Sequence, residues 1–417
     1  MYPVPVDLLR QIVIRWKDLD PRYVPLLREG GITAVLISPN DSFEKACAAE
    51  RLQVIHDTDV RFVGLADAAT AGSGRAMVFQ AGMWPGVHMP DATVASATRS
   101  VWIDQNCYLV QYLRALYPKV SPVLGYLPNK EAGVPPERAV PFHTLELALA
   151  EAWMPGGNFV LALEAWFREA LLKGAADALT AWHKMGRTAR WLQENAAVFG
   201  RPMQNNITVL VENTDVSLEI ANLAYRQNVS PTLVAAANPP APDPVRCLEL
   251  VAVGIETPGT DVRGRILANA EAGTTLVVDA PGEKAWWRTA DLKRLGEDPE
   301  REYFALGKGK VVAYKEPVTD PSDLALDMID YVTQSRRAAR VFNCNAAVAM
   351  AGQSVLYLVN YGQPQDLPVL ARIQGSFSTA TLLRPEAAPQ SVKVSRRGTS
   401  SEATLPQLER AAAVIFG

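Results

Sequence analysis

The sequence predicts a multidomain α/β chain in three consecutive parts. A shortened or irregular (β/α) barrel is expected over residues 1–203, a doubly wound α/β domain over 204–336, and a small antiparallel β-sandwich over 337–417. Three observations carry this. Short apolar runs alternate with helical patterns in the first half of the chain. The same alternation returns with clearer helix caps over 207–318. Beyond residue 337 the apolar period falls to two and helical patterns cease. A length of 417 residues suits two to three domains of roughly 100–200 residues, each large enough for its own core.

In the first part, residues 12–14 read as a buried strand that ends in Arg15-Trp16. Residues 21–29 read as a helix stopped by Gly30-Gly31. Residues 32–37 form the next strand, ended by Pro39-Asn40-Asp41, and 42–51 the next helix. Further apolar strands are expected at 54–55, 62–65, 77–79, 123–126 and 159–163, with helical patterns over 105–117, 144–153 and 166–198. Continuous apolar strands between amphipathic helices indicate a parallel sheet covered by helices. Up to eight strands can be counted, which permits a TIM-type barrel. Roughly 200 residues is short for one, so barrel helices are expected to be missing.

In the second part, residues 207–211, 232–235, 250–255, 275–278 and 310–313 read as strands. Asp215 and Asp261 are placed to cap the helices between them, and Gly273 to end the second. A connecting helix opens at Asp320-Pro321, with Leu324, Met328, Ile329 and Val332 on its inner face. The third part offers strands at 355–359, 369–373, 379–383, 392–394 and 413–416, separated by Gly, Pro and Asn turns, as a sandwich requires.

Composition narrows the function. Hydrophobic residues make up 48% and charged residues 20%, an ordinary globular balance. A net charge of −3 gives no basic field for a phosphate backbone, so nucleic acid is excluded as a partner. The four cysteines, Cys47, Cys107, Cys247 and Cys344, have no ligand spacing and read as reduced, buried thiols. Residues 1–5 show neither a basic n-region nor an apolar h-region, and no apolar run approaches the ~20 residues of a membrane span. A cytoplasmic protein with no membrane partner is therefore expected.

On these residues the chain resembles family-42-type β-galactosidases. The run 207–213, the helix 216–228, the strand 249–256 and the helix 261–273 leading into Thr274-Thr275-Leu276-Val277-Val278 are similar to that family's glutamine-amidotransferase-like trimerisation domain. Leu306-Gly307-Lys308-Gly309-Lys310-Val311 is similar to its glycine-punctuated approach to a late strand. Leu356-Tyr357-Leu358-Val359-Asn360-Tyr361 and Leu405-Pro406 resemble the small closing β-domain. The resemblance implies a flavodoxin/amidotransferase-like middle domain, homo-oligomerisation through it, and glycoside hydrolase activity at the barrel mouth. Enzymes of that clan carry an Asn-Glu pair at the end of the fourth barrel strand and a second Glu at the end of the seventh. No Asn-Glu dipeptide stands at a strand end here, because Glu194-Asn195 is reversed and lies in a helical pattern. Amidotransferase chemistry is not implied either. It needs a Cys at a strand-to-helix elbow and a His, whereas Cys247 precedes a strand and no His lies between 184 and 417.

Glycoside hydrolysis needs two carboxyl groups across the scissile bond, about 5–5.5 Å apart for retention or 6.5–9.5 Å for inversion. In a barrel they sit at the carboxyl ends of strands. Glu164 follows the strand at 159–163, Asp67 that at 62–65, and Glu131 lies in the loop after 123–126; Asp57 and Asp59 follow 54–55. Glu164 and Glu131 are the expected pair and Asp67 a supporting carboxylate, with Asn129 and Asp104 as substrate contacts. A helix N-cap stays open for Asp104, and a solvated loop position for Glu131. Trp84 and Trp102 lie in loops and are the expected sugar platforms. Trp166 opens the long helix, while Trp153, Trp182 and Trp191 read as core or domain interface. Four histidines without HxH or HExxH spacing give no metal site, and no cofactor is expected. Gly72-Ser73-Gly74-Arg75 reads as a turn. The function indicated is a carbohydrate-active protein of the glycoside hydrolase type, or a catalytically inactive saccharide-binding or assembly protein on the same fold.

Overall fold

The computed structural model describes residues 7–70, 76–87, 103–127, 140–255, 257–279, 282–333, 339–344, 346–364 and 367–417. Glu131, Asn129, Trp102, His88 and the turn at 72–75 lie outside them.

The first part builds two parallel sheets. One joins β1 (Val13–Arg15), β2 (Ala34–Ile37) and β3 (Gln53–His56). The other joins β4 (Val60–Val63), β5 (Ala76–Gly82), β6 (Val123–Tyr126) and β7 (Asn158–Phe159). Two connections join these sheets, and one of them is a backbone bridge. The three-residue turn Asp57–Asp59 links β3 to β4. On the opposite side Ile14 bridges Leu161, with Arg15 N–H donating to the Leu161 carbonyl at 2.7 Å and Leu161 N–H to that of Val13 at 2.9 Å. Val13, Ala34, Leu36, Ile55, Val60, Val78, Val123 and Val160 pack together inside the ring. Their small, mostly β-branched side chains fill that space, as barrel interiors do. Among the described residues the barrel has seven strands, and the sequence permitted up to eight.

Outside the ring run α1 (Val24–Glu29), α2 (Asp41–Ala49), α3 (Cys107–Leu116), α4 (Thr144–Trp153), α5 (Ala165–Leu172) and α6 (Ala176–Glu194). The single helix expected over 166–198 is two, because Gly174 adopts φ +74° between α5 and α6 and breaks the ladder. Every residue of α4 is buried, its two glutamates Glu146 and Glu151 included.

The sheet of the second part has the order β12-β13-β14-β11-β10-β8-β9, built from β8 (Ile207–Val211), β9 (Thr232–Ala235), β10 (Glu249–Ala252), β11 (Thr275–Val278), β12 (Lys293–Glu297), β13 (Arg301–Leu306) and β14 (Gly309–Tyr314). The order reverses between β8 and β10, the mark of double winding. Side chains alternate between two cores. Val209, Val251, Val277 and Val312 pack against α7 (Asp215–Arg226) and α9 (Pro321–Thr333). Leu210, Leu250, Leu276 and Val311 pack against α8 (Thr260–Ala272). Thr214 caps α7 through its hydroxyl, with Asp215 as its first residue, and Gly259 precedes α8 where Asp261 was expected to cap.

The last sheet is antiparallel, ordered β15-β18-β21-β20-β19-β22-β17-β16 from β15 (Arg340–Phe342), β16 (Ala347–Gly352), β17 (Val355–Asn360), β18 (Val369–Gln374), β19 (Ala380–Arg384), β20 (Ala387–Arg397), β21 (Ser400–Leu405) and β22 (Ala411–Phe416). Its two end strands β15 and β16 meet, so the sandwich is nearly closed. Leu356 and Leu358 of β17 face its interior. Val355, Tyr357 and Val359 face the barrel core. This double burial explains the continuous apolar run over residues 355–359 in an antiparallel sheet. Among the described residues no helix is long and apolar enough to cross a membrane.

Candidate active site

The carboxyl ends of the barrel strands gather the residues that follow them: Arg15–Asp18 after β1, Ser38 after β2, Asp57 after β3, Asp67 after β4 and Glu164 beyond β7. At the seam where β1 meets the Leu161 bridge lies a cleft of about 170 Å³ lined by Arg15, Trp16, Lys17, Asp18, Ala162, Leu163, Ala165 and Arg168.

Glu164 is 8% exposed and caps α5. Its Oε2 accepts from the backbone N–H of Trp166 at 2.8 Å and of Phe167 at 3.2 Å. A carboxylate here satisfies two of the helix's unpaired amides. Arg168, one turn later, donates to both oxygens of Asp18 at 3.2 and 3.3 Å. The Arg15 guanidinium lies 5.0 Å from the Phe62 ring centre of β4, across the mouth. Trp16 Nε1 donates to the Asp18 carbonyl at 2.7 Å and holds that turn.

Trp166 is 66% exposed, although its ring is large and apolar. It meets Phe142 edge-on at 6.5 Å. On the β2–β3 side, Ser38 Oγ donates to Asp57 Oδ2 at 3.1 Å, while Asp57 Oδ1 is buried without a hydrogen-bond partner. His56 contacts Glu44 of α2 at 3.1 Å. Asp67 is exposed, in the short 3₁₀ turn Leu65–Thr70.

Two expectations are corrected. Trp84 is no sugar platform: it is 1% exposed, with its ring stacked on Tyr126 at 3.9 Å. The Pro85-Gly86 turn folds it into the core, where a ring of that size buries most area. Asp104 is 4% exposed and stands within a short backbone pairing, its N–H on the Val87 carbonyl and its carbonyl on Gly86 N–H. It neither fronts the cleft nor caps α3, whose N-cap is Asn106.

Sequence reasoning missed a second carboxylate. Glu151 of α4 is wholly buried where the barrel meets the sandwich. Its Oε2 accepts from Asn106 N–H at 2.9 Å and from the Tyr361 hydroxyl at 2.7 Å, and its Oε1 from Asn106 Nδ2 at 2.6 Å. Burial raises its carboxyl to about 7 against the pull of these donors. Asn106 in turn accepts from Met83 N–H at 2.7 Å and donates to its carbonyl at 2.9 Å, which clamps the loop leaving β5. The signal was a pair of acids, Glu146 and Glu151, in an otherwise apolar helix over residues 145–153. Trp166 carried a signal too, two residues after a strand-end Glu.

All four cysteines are buried and unpaired, and burial pushes the Cys247 thiol up to about 11, far from nucleophilic. Among the described residues no group of three His, Cys, Asp or Glu could hold a metal ion.

No protein-family model matches the chain, and no curated protein matches it in sequence. Solved structures do match it in shape. α-L-Fucosidase isoenzyme 2 from Paenibacillus thiaminolyticus superposes with a TM-score of 0.60 at 8% identity, over 98% of this chain and 100% of that one. The β-galactosidase from Bacillus circulans sp. alkalophilus superposes with a TM-score of 0.52 at 9% identity, over 90% of this chain and 66% of its own length. Identities this low establish the fold alone. The chain therefore has the fold of glycoside hydrolases of the β-galactosidase type, as the residues from 207 onward had indicated.

Proposed function

We propose that this is a carbohydrate-active protein of the glycoside hydrolase type, working at the carboxyl-end mouth of its barrel. Glu164 and Glu131 form the carboxyl pair, Asp67 supports them, Asn129 and Trp102 contact the sugar, and Trp166 replaces Trp84 as the stacking surface. The observation that carries the reading is Glu164 itself: a carboxylate at the end of the strand segment that closes the barrel, with a cleft beside it and an exposed indole two residues on. Glycosidase folds place their acid and nucleophile at this end. The test is hydrolysis of a panel of aryl glycosides. Glu164→Ala and Glu131→Ala should each reduce turnover by at least ~10³-fold, in keeping with loss of a catalytic carboxyl; full activity in both sinks the assignment.

One observation favours a second reading, a saccharide-binding or assembly protein without catalysis. Glu164 Oε2 already holds two amides of α5, a structural duty that would keep the residue after catalysis was lost. A wild-type protein that binds saccharides but turns over no glycoside would decide for it. In either reading the middle domain assembles copies of the chain, as its resemblance to a trimerisation domain implies. Light scattering on the full chain should give a multiple of the 45.4 kDa protomer mass, and a monomer at micromolar concentration would end that part of the proposal.

A further inference from the structure

We infer that Asp18 and Arg168 are a positioning pair. Their ion pair spans the seam of the barrel and fixes the first turn of α5, with Glu164 and Trp166, against the end of β1. This rests on the carbohydrate reading above and deepens it, because it names what holds the carboxyl and the stacking surface in place. Neither residue is assigned a contact with the sugar or with a reacting atom.

The need for such a tie comes from where the strand ladder stops. β7 ends at Phe159, and the backbone bonds that follow it are those of Val160 to Leu124 and of Leu161 to β1. Among the described residues no backbone hydrogen bond ties Ala162, Leu163 or Glu164 to another strand. The bonds from the Trp166 and Phe167 amides to Glu164 Oε2 hold that carboxylate to α5 alone. Glu164 therefore goes where α5 goes. The buried face of α5 is held by Phe167, which lies 4.9 Å from the Phe142 ring and 6.5 Å from that of Trp182 on α6. Apolar packing is non-directional. It sets how close α5 lies to α6 more firmly than how the helix is turned toward the mouth.

Arg168 supplies the directional contact. Its Nη1 donates to both carboxylate oxygens of Asp18, at 3.3 and 3.2 Å, and charge-assisted bonds of this kind depend on angle as well as distance. Its own backbone N–H donates to the Glu164 carbonyl at 2.8 Å, so a shift of one residue carries to the other. Asp18 is itself anchored. Trp16 Nε1 donates to its carbonyl at 2.7 Å, and Trp16 is buried, with its backbone N–H on the Leu36 carbonyl of β2 at 3.0 Å. The contacts thus run from β2 through Trp16 to Asp18, across the ion pair to Arg168, and back one helical turn to Glu164. Both side chains are partly exposed, and such pairs add little to global stability. The effect of this pair belongs to local order at the mouth.

The experiment is amide hydrogen exchange on the full chain, paired with aryl glycoside hydrolysis, for Asp18→Asn, Arg168→Gln and the double variant. Each single variant should speed exchange of the Trp166 and Phe167 amides by about three- to fivefold, the loss of one partly exposed ion pair. A thermal melt should show the fold intact in all three. The double variant should exchange no faster than the singles, because the same pair is broken only once. Arg168→Lys, which keeps the charge, should recover part of the protection. On a glycoside that the wild type hydrolyses, each single variant should lower kcat by about tenfold or more, and the double variant no further. Unchanged exchange in the single variants, or effects that add in the double, overturns the inference. Faster exchange with kcat unchanged overturns it too. A wild type that hydrolyses no glycoside, in a protein whose exchange follows the expected pattern, overturns the catalytic reading and leaves the tie between β1 and α5 standing.

Discussion

Glu151 shows how one buried residue adds to the pH response of the protein. Its carboxyl titrates near 7 when folded and near 4.3 when the chain is unfolded. The folded state therefore holds a proton that the unfolded state has released between those values. A raised carboxyl makes its full contribution below the unfolded value, and that contribution is lost as pH rises through the folded one. Stability should fall between pH 4.5 and 7 by up to roughly 3 kcal/mol from this group. Urea melts across that range check it, and Glu151→Gln should flatten the slope. An unchanged slope in the variant would place the proton elsewhere. Glu249 belongs to the same class: it is wholly buried, neither carboxyl oxygen has a hydrogen-bond partner, and burial with Asp327 nearby pushes it well above the usual carboxylate range. Neither acid could be read as buried from spacing, because burial of a charge depends on what packs over it. Glu164 and Asp67 were legible as strand-end acids because the strands before them were. Trp84 misled, since a Pro-Gly turn fits a solvent loop and an inward fold equally well.

At the level of elements, the helices were more legible than the antiparallel strands. The apolar faces of α2, α3, α7 and α9 repeat at helical spacing, and their positions follow. The hairpin of β12 and β13 gave no signal: Lys293-Arg294-Leu295-Gly296-Glu297 is exposed throughout and lies at a sheet edge, where charge protects against unwanted pairing. The packing of α6 on the end of α1 was also invisible, because it depends on the absence of side chains. A Cβ on Gly186 would stand 2.4 Å from the Glu29 carbonyl oxygen, and one on Gly31 2.9 Å from that of Gly186. Both contacts are with backbone, which cannot rotate away. Gly186→Ala should cost about 1–3 kcal/mol, the range of overpacked cores, and lower the melting temperature by several degrees. A variant as stable as wild type would show that α6 can slide.

The whole molecule behaves as one hydrophobic body more than its four sheets suggest. Tyr361 of the sandwich reaches Glu151, and Asn106 passes that contact to the β5 loop. Tyr357 and Val359 join the same core as the barrel helices. The third part was legible because its apolar period falls to two, and the second because the strand–helix alternation returns with clearer caps. The contacts between parts were not, since they join residues hundreds apart. The seam between Ile14 and Leu161 carries a consequence for biosynthesis. β1 emerges from the ribosome 161 − 14 = 147 residues before its partner, an interval of roughly 7–30 s at about 5–20 residues per second. Through that interval the apolar strand has one open edge. The nascent chain must be shielded there until translation delivers the segment that shuts the ring.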